Sequence, residues 1–262
     1  MSVDHLPHLF VEGKTDKYMV LQLLKSHGVF AQDGDQKPAN PTDVQVVVSV
    51  VKPTEGSSGS KPELLDDLSQ RIRKPNHAAI GYVFDADDPA FTEWNLTRTW
   101  RAIRDRLLKA PTLIEATDEI RVDGLVGRHS KTNTPIGVWL MPDNQRDGSI
   151  EDFLRELIAD GDRIAPFAEQ ASRAAKVDHG ALFPEKDFKK AVIEAWLAWQ
   201  EEPGMTFGTA FEKRCLLNDK PLAQRFVSWV QTLISNADFQ CESSVMREFR
   251  RASTFPFGRP RS

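Results

Sequence analysis

The sequence predicts an α/β fold with a mainly parallel sheet, followed by a helical C-terminal region. Three observations support this prediction. Short apolar runs alternate with stretches of helical periodicity through the first half of the chain. The run at 44–51 is almost entirely β-branched, which is typical of a strand buried on both faces. Beyond about residue 160 the strand patterns fade and helical periodicity remains. Because repeated strand–helix units favour parallel strands, we expect helices on the faces of the sheet.

The first part of the chain contains the repeated strand–helix units. Strands are predicted at 8–11, 44–51 and 78–84, and helices from 15 to the Gly28 stop, at about 62–73 and at 92–108. Residues 31–43 and 52–61 are rich in Gly, Pro and polar residues and are predicted to be connections. This order of elements is that of a sheet built largely by crossover helices.

The rest of the chain begins with a hairpin-like pair over 125–142, whose second strand is 136–141. Ser149 is then a good N-cap for a helix. Further helices are predicted at 165–176, 187–200, 211–217 and 222–234. We therefore predict an α/β domain over 1–160 and a helical region over 161–262 that packs against it or serves assembly.

Composition excludes several classes of protein. A chain of 262 residues is long enough for a substantial core, and its net charge of −4 is unlike that of a protein that coats DNA. Cys215 and Cys241 have no CxxC or Cys/His spacing, which excludes a zinc ribbon and a disulfide scaffold. No stretch approaches the roughly 18 apolar residues of a membrane span, and the first residues do not resemble a signal peptide. We expect a soluble, cytoplasmic protein without membrane contact.

Acidic residues follow the predicted strands. Ligands of parallel α/β sheets bind at the carboxyl ends of strands, where several loops converge. Hard cations such as Mg²⁺ or Mn²⁺ require several oxygen ligands, whereas closely packed carboxylates without a cation would repel one another. The acidic pairs at the predicted strand ends are Glu12 with Asp16, Asp85 with Asp87, and Asp143 with Glu151. The pattern therefore predicts a divalent-metal site.

Each acidic pair also has an ordinary structural explanation. A single Asp-x-Asp at a strand end is common, and Glu12 could be a loop carboxylate. Asp16 and Glu151 lie in predicted first turns of helices, where the helix dipole favours acids. The hypothesis of a metal site depends on all three pairs occurring together at predicted strand ends.

Two segments carry a resemblance to a known family. Val-Glu-Gly-Lys-Thr-Asp at 11–16, followed about seventy residues later by Phe-Asp-Ala-Asp at 84–87, resembles the Toprim signature. Primases, topoisomerases, recombination proteins and OLD-type nucleases share this signature, which implies a Rossmann-like fold. The resemblance implies that Glu12, Asp85 and Asp87 bind divalent metal and that Asp16 assists, as in the nuclease branches of the family.

The resemblance extends to the later segments 137–144, 148–154, 196–199, 202–204 and 226–233, which look like those of a group of small stand-alone Toprim proteins. By that likeness Glu151 and Asp143 would complete the acidic site. Lys14 is a candidate phosphate contact, although a solvated loop lysine is an equal alternative. Lys189 and Lys190 are less favoured candidates for the cation that some Toprim nucleases use.

The resemblance implies a Mg²⁺- or Mn²⁺-dependent nuclease that cleaves phosphodiester bonds of nucleic acid and serves as the effector of an antiviral defence system. DNA is favoured over RNA because of the likeness to OLD-type nucleases. Glu12 is either a metal ligand or the general base. The alternative is a non-catalytic Toprim-like subunit that binds or regulates an ATPase partner. The sequence leaves open whether the chain forms a homo-oligomer.

Other families fit the motifs less well. The Gly-Lys-Thr at 13–15 resembles part of a P-loop, but His8 stands where a P-loop has its first glycine. Phosphatases with an aspartyl nucleophile usually carry the Asp-x-Asp motif on the first strand, not the third. A topoisomerase would need a nucleophilic tyrosine, and both Tyr18 and Tyr82 lie in segments that we expect to be buried. The chain leaves little room for the additional modules of a primase.

The C-terminal segment 247–262 interleaves arginines with phenylalanines. Such a pattern suits contacts with phosphates and bases. A solvated or partner-bound terminus explains the pattern equally well. The tryptophans at 196, 199 and 229 have helical spacing and are predicted to be core residues.

Overall fold

The chain folds around a seven-stranded, mostly parallel sheet, which confirms the α/β fold class expected from the sequence. The computed structural model describes residues 5–36, 43–51 and 61–252, with 238–252 described as backbone alone. The strands are β1 His8–Val11, β2 Ala31–Asp33, β3 Val46–Val50, β4 Ile80–Asp85, β5 Thr112–Leu113, β6 Leu125–His129 and β7 Pro135–Met141. The helices are α1 Lys14–Ser26, α2 Lys61–Arg71, α3 Leu96–Lys109, α4 Ile150–Glu156, α5 Ile164–Val177, α6 Phe188–Ala198, α7 Phe207–Glu212 and α8 Pro221–Ala252.

The strand order in the sheet is β2-β3-β1-β4-β7-β6-β5. The first five strands in this order are parallel, whereas β6 pairs antiparallel with both β7 and β5. Strand β1 has β3 on one side and β4 on the other. The strands that precede β4 in the chain lie on one side of β1, and β4 and the later strands lie on the other. In sheets of this kind the crevice where the strand order reverses, outside the carboxyl ends of the strands, is the usual place for a ligand.

Alternate residues of the strands face two separate hydrophobic clusters. Phe10, Tyr82 and Val138 point to the side covered by α2 and α3. Leu9 and Trp139 point to the opposite side, which α1, α4, α6 and α8 cover. Because side chains alternate along a strand, a central sheet can be apolar on both faces. The clusters hold the strand ends in fixed relative positions.

Helix α8 packs directly on the sheet. Its Trp229 side chain lies near Trp139, with ring centroids 5.8 Å apart, and the Trp229 indole N–H donates to the carbonyl oxygen of Leu125 at 3.0 Å. A Cβ at Gly81 would come within 2.7 Å of Leu233 Cδ2, so the missing side chain allows close approach. The C-terminal helices therefore share one core with the sheet. The proposed boundary after residue 160 stays a prediction.

Several element bounds differ from those expected. The predicted loop 31–43 contains the short strand β2, which is held by pairing with β3. The helix expected from residue 92 begins at Leu96, because the Asn95 side chain accepts a hydrogen bond from Arg98 N and caps it. Helix α8 continues beyond the predicted end at 234 to Ala252. The predicted connection 52–60 and the end of the basic tail, 253–262, lie outside the described residues.

The predicted hairpin over 125–142 is confirmed as the β6–β7 pair, and Ser149 is the N-cap residue of α4. Over the described part of the chain, no helix has the length and apolar character needed to cross a bilayer.

Candidate functional site

Glu12 and Asp85 lie side by side at the carboxyl ends of β1 and β4. In the parallel pairing of these strands Val11 is opposite Val83, so Glu12 follows β1 within one residue of the level of Asp85. The Asp85 backbone N–H donates a hydrogen bond to Glu12 Oε1 at 3.0 Å. The register of the sheet therefore brings together two carboxylates that are 73 residues apart in sequence.

Asp16 joins them from the first turn of α1. Gly13 is the N-cap of this helix, and its N–H donates to Asp16 Oδ2 at 2.8 Å. This bond is the return half of a capping arrangement, in which the third helical residue reaches back to the cap. The bond fixes the buried carboxylate of Asp16 close to the end of β1.

Asp87 is placed by an unusual backbone conformation. Its φ of 69° lies in the left-handed region, which non-glycine residues seldom adopt. Two hydrogen bonds hold it there, from Asp87 N to Gly148 O at 2.7 Å and from Gly148 N to Asp87 O at 2.9 Å. The loop after β4 is thus tied to the segment that leads into α4.

The start of α4 completes the acidic group. The N–H of Ile150 donates to Asp85 Oδ1 at 3.1 Å, so the amino end of the helix faces that carboxylate. Glu151 follows in the first turn, and its Oε2 accepts from the Ser149 hydroxyl at 2.7 Å. An acid next to the amino end of a helix is favoured by the helix dipole.

Of these residues, Asp85, Asp87 and Glu151 border a cleft of about 300 Å³ that lysines also line. Lys189 is held over the cleft by Asp152 at 2.9 Å and by Asp88 at 3.6 Å. Charged residues that line the cleft are Asp85, Asp87, Asp88, Glu151, Lys186, Asp187, Lys189 and Lys190. The cleft is therefore lined by both acidic and basic side chains.

The side chain of Lys61, the first residue of α2, contacts the acidic group. Its ammonium group lies 2.6 Å from Asp87 Oδ2 and 3.6 Å from Glu12 Oε1, and it donates to the Asp85 carbonyl oxygen. The residue is only 4 % exposed. Lys61 could not be predicted from the sequence, because a lysine at the start of a helix has no local pattern that indicates a buried charge.

Burial and mutual repulsion raise the pKa values of Glu12, Asp16 and Asp85. Burial raises the pKa of Glu12 to about 7, with Lys61 opposing the rise and Asp87 adding to it. Burial raises the pKa of Asp16 to about 6, and the charge of Glu151 adds to the rise. A carboxylate moved out of water holds its proton more tightly, and a neighbouring anion strengthens this effect.

The pKa of Asp85 is also raised. Burial raises its pKa well above the usual range, and Asp16, Glu12 and Glu151 add to the rise. Each of these acids therefore influences the others. The single positive charge of Lys61 does not neutralise all the carboxylates of the group.

The donor set suits a hard divalent cation, since carboxylate oxygens are the ligands that Mg²⁺ and Mn²⁺ prefer. Among the residues that the structure describes, no three His, Cys, Asp or Glu side chains already form an arrangement that could hold a metal ion. Instead the Lys61 ammonium lies between Glu12 and Asp87 and provides the positive charge. Carboxylate oxygens of this kind could hold a hard cation, and the Lys61 ammonium group lies among them.

Two predicted site residues lie elsewhere. Asp143 Oδ1 accepts from the N–H groups of Gln145 and Arg146, and its Oδ2 pairs with the Arg146 side chain at 3.0 Å. This carboxylate stabilises the turn after β7 and does not line the cleft. Lys14 is exposed and borders a separate groove that also includes Glu194. The role of Lys14 as a phosphate contact stays a prediction.

The two tyrosines also differ from each other. Tyr82 is buried as expected, and its hydroxyl donates to Asp67 at 2.6 Å. Tyr18, expected to be buried, is 50 % exposed on α1. Similarly, Trp196 and Trp229 are core residues, whereas Trp199 is 43 % exposed.

Comparison with known proteins identifies a family. No curated protein and no solved structure matched the chain. The family model described as "Protein of unknown function (DUF3226)" matches residues 7–235, a range that includes all the carboxylates and lysines of the cleft. The chain therefore belongs to the DUF3226 family.

Proposed function

We propose that this protein is a divalent-metal-dependent nuclease whose acidic group is a Toprim-type centre. The observation that carries the proposal is the convergence of five carboxyl groups at the carboxyl ends of β1 and β4. They come from three separate parts of the chain, and the pKa values of three of them are raised by burial and by one another. Strongly perturbed acids in a cleft are typical of functional sites.

Glu12, Asp85 and Asp87 would hold Mg²⁺ or Mn²⁺, with Asp16 and Glu151 at the edge of the same site. When bound, the cation supplies positive charge to a scissile phosphate and lowers the pKa of a water molecule. The acids are a poor match for an uncharged ligand, because each carboxylate would remain desolvated without a counter-charge. Their arrangement therefore favours a substrate that brings its own anionic group to a cation.

The lysines that line the cleft favour a polyanionic substrate. Lys186, Lys189 and Lys190 line the same cleft as the acids, where a phosphodiester chain that entered it would meet them. Lysine binds phosphate as a mobile point charge, without a demand for one base or sugar. These lysines would orient the backbone of a nucleic acid. Contacts with phosphates do not distinguish DNA from RNA.

Glu12 has the pKa best suited to proton transfer near neutral pH. A group with a pKa of about 7 exists in both protonation states there, which is what general acid–base chemistry needs. Its second role, as a cation ligand, uses the same carboxylate. Glu12→Gln removes both functions, so Asp85→Asn is the more specific test of the metal site.

The test uses purified protein with supercoiled plasmid, single-stranded DNA and structured RNA, each with Mg²⁺, Mn²⁺ or EDTA. We expect cleavage with metal only, and Asp85→Asn should reduce the rate roughly 100-fold, because several kcal/mol of transition-state stabilisation are lost. Asp160→Asn is the matched control, because it removes a charge from an exposed side chain paired with Lys220. Cleavage in EDTA, or an Asp85→Asn variant as active as the wild type, would disprove the proposal.

The proposed antiviral role and the proposed ATPase partner rest on the Toprim resemblance alone. If the wild type binds Mn²⁺ without cutting any of the three substrates, the binding-subunit alternative is favoured. Co-purification of the full chain with an ATPase from its own cell would then be the next measurement.

A further inference from the structure

We propose that Lys61 is an internal counter-ion of the acidic group and that a divalent cation must displace its ammonium group in order to bind. The inference rests on the proposed metal site. It adds a residue that neither the motifs nor the family match indicates, and it predicts that the chain lowers its own affinity for metal.

The contacts of Lys61 are those of a bound cation. Its ammonium group pairs with Asp87 Oδ2 at 2.6 Å and with Glu12 Oε1 at 3.6 Å, and it donates to the Asp85 carbonyl oxygen. A buried ammonium group is costly unless its charge is matched and its hydrogen bonds are satisfied. These oxygens provide both, so Lys61 and the acids stabilise one another in the metal-free protein.

A metal ion and Lys61 cannot share these oxygens. Mg²⁺ binds carboxylate oxygens at about 2.0–2.1 Å, closer than the hydrogen bonds of an ammonium group. An ion that held Glu12 and Asp87 together would take the two carboxylate contacts that Lys61 now makes. Two cations at contact distance also repel strongly in a poorly solvated site. Binding of metal therefore requires the ammonium group to move.

The structure offers the displaced ammonium group an alternative position. Thr99 Oγ1 lies 3.5 Å from Lys61 Nζ, and the centroid of the Trp94 ring lies 5.7 Å from it. A hydroxyl oxygen can accept a hydrogen bond, and the face of an indole ring attracts a cation. Thr99 lies in α3 and Trp94 just before it, so neither group is one of the carboxylates that the ion would bind. Lys61 can thus give up the carboxylates without becoming a buried charge that has no partner.

The test compares Mn²⁺ binding and thermal unfolding of the wild type and Lys61→Met. Methionine keeps most of the length of the side chain and removes the charge. We expect the variant to bind Mn²⁺ about tenfold more tightly, measured by calorimetry, because a competing cation is gone. In EDTA its midpoint of unfolding should fall by roughly 5–10 °C, and saturating Mn²⁺ should remove most of that difference.

Lys17→Met is the matched control. Lys17 is 3 % exposed and pairs with Asp33 and Asp35, both at 2.8 Å, outside the cleft. This variant should lose stability in EDTA and in Mn²⁺ alike and should bind Mn²⁺ at the site as the wild type does. If Lys61→Met folds only with Mn²⁺, that result also supports the proposal.

A second variant covers the case in which Lys61→Met does not fold under any condition. Lys61→Arg keeps a competing positive charge, so it should bind Mn²⁺ no more tightly than the wild type; clearly tighter binding would overturn the proposal. If wild type and Lys61→Met bind Mn²⁺ equally, the role of Lys61 is refuted and the proposed nuclease stands. If neither binds Mn²⁺, both proposals fail.

Discussion

At the scale of single residues, Glu12 illustrates how the site balances opposing effects. Burial raises its pKa to about 7, the Asp87 charge adds to the rise, and Lys61 lowers it. The unfolded chain would release the same proton near pH 4.5. Between these values the folded protein binds more protons than the unfolded chain, so Glu12 makes stability fall as pH rises.

This difference predicts the pH dependence of stability. In EDTA, the wild type should lose stability relative to Glu12→Gln as pH rises from about 4.5 to about 7, and the loss should level off above pH 7. From one pKa value to the other, the expected loss is about 3 kcal/mol. Urea unfolding of both proteins at several pH values measures it. Parallel stability curves for the two proteins would contradict the prediction.

At the scale of elements, α8 is the helix that links the C-terminal region to the sheet. Trp229 is 3 % exposed, packs against Phe226 and Trp139, and donates a hydrogen bond to the Leu125 carbonyl. Such a residue contributes both buried apolar area and a satisfied polar group. Trp199 lies at the end of α6 with its ring largely against Phe167 and solvent.

The two tryptophans provide a matched pair of substitutions. Trp229→Ala should reduce the free energy of unfolding by about 3–5 kcal/mol, because it leaves a cavity and an unpaired carbonyl group. Trp199→Ala should cost about 1 kcal/mol or less, as is usual for partly exposed positions. Denaturant unfolding of both variants measures the difference. Similar losses would show that α8 does not anchor the core.

At the scale of the whole molecule, the helices after residue 160 cover one face of the sheet. Leu9 and Trp139 on that face belong to the same hydrophobic cluster as Trp196, Phe226 and Val230. Removing these helices would expose strands that are apolar on both faces. Parallel sheets of this kind are found with both faces covered.

A fragment of residues 1–160 tests this dependence. We expect it to show no cooperative unfolding transition and to aggregate, because a large apolar face would meet water. The full chain under the same conditions is the control, with circular dichroism during heating as the measurement. A fragment that unfolds cooperatively would establish the boundary predicted from the sequence as that of an independent domain.

The sequence alone was sufficient for the α/β fold class and for the longer strands and helices, and it placed four acids beside the ends of β1 and β4. Glu12, Asp16, Asp85 and Asp87 are next to strands in the chain, and the carboxyl ends of parallel strands meet at one edge of the sheet. Short strands such as β5 were missed because their stability comes from pairing with a neighbour, not from their own two residues.

Tertiary structure decided which predicted acids stay away from the site and which cation lies among the others. Asp143 and Asn144 are adjacent in sequence, yet the fold uses the first to hold a turn and buries the second, which bonds to Leu140 N–H. Lys61 reaches the acids from a different helix, across 24 residues of sequence from Asp85. Local patterns determine which residues end a strand, whereas the meeting of distant charges depends on packing, because Coulomb interactions act through space and not along the chain.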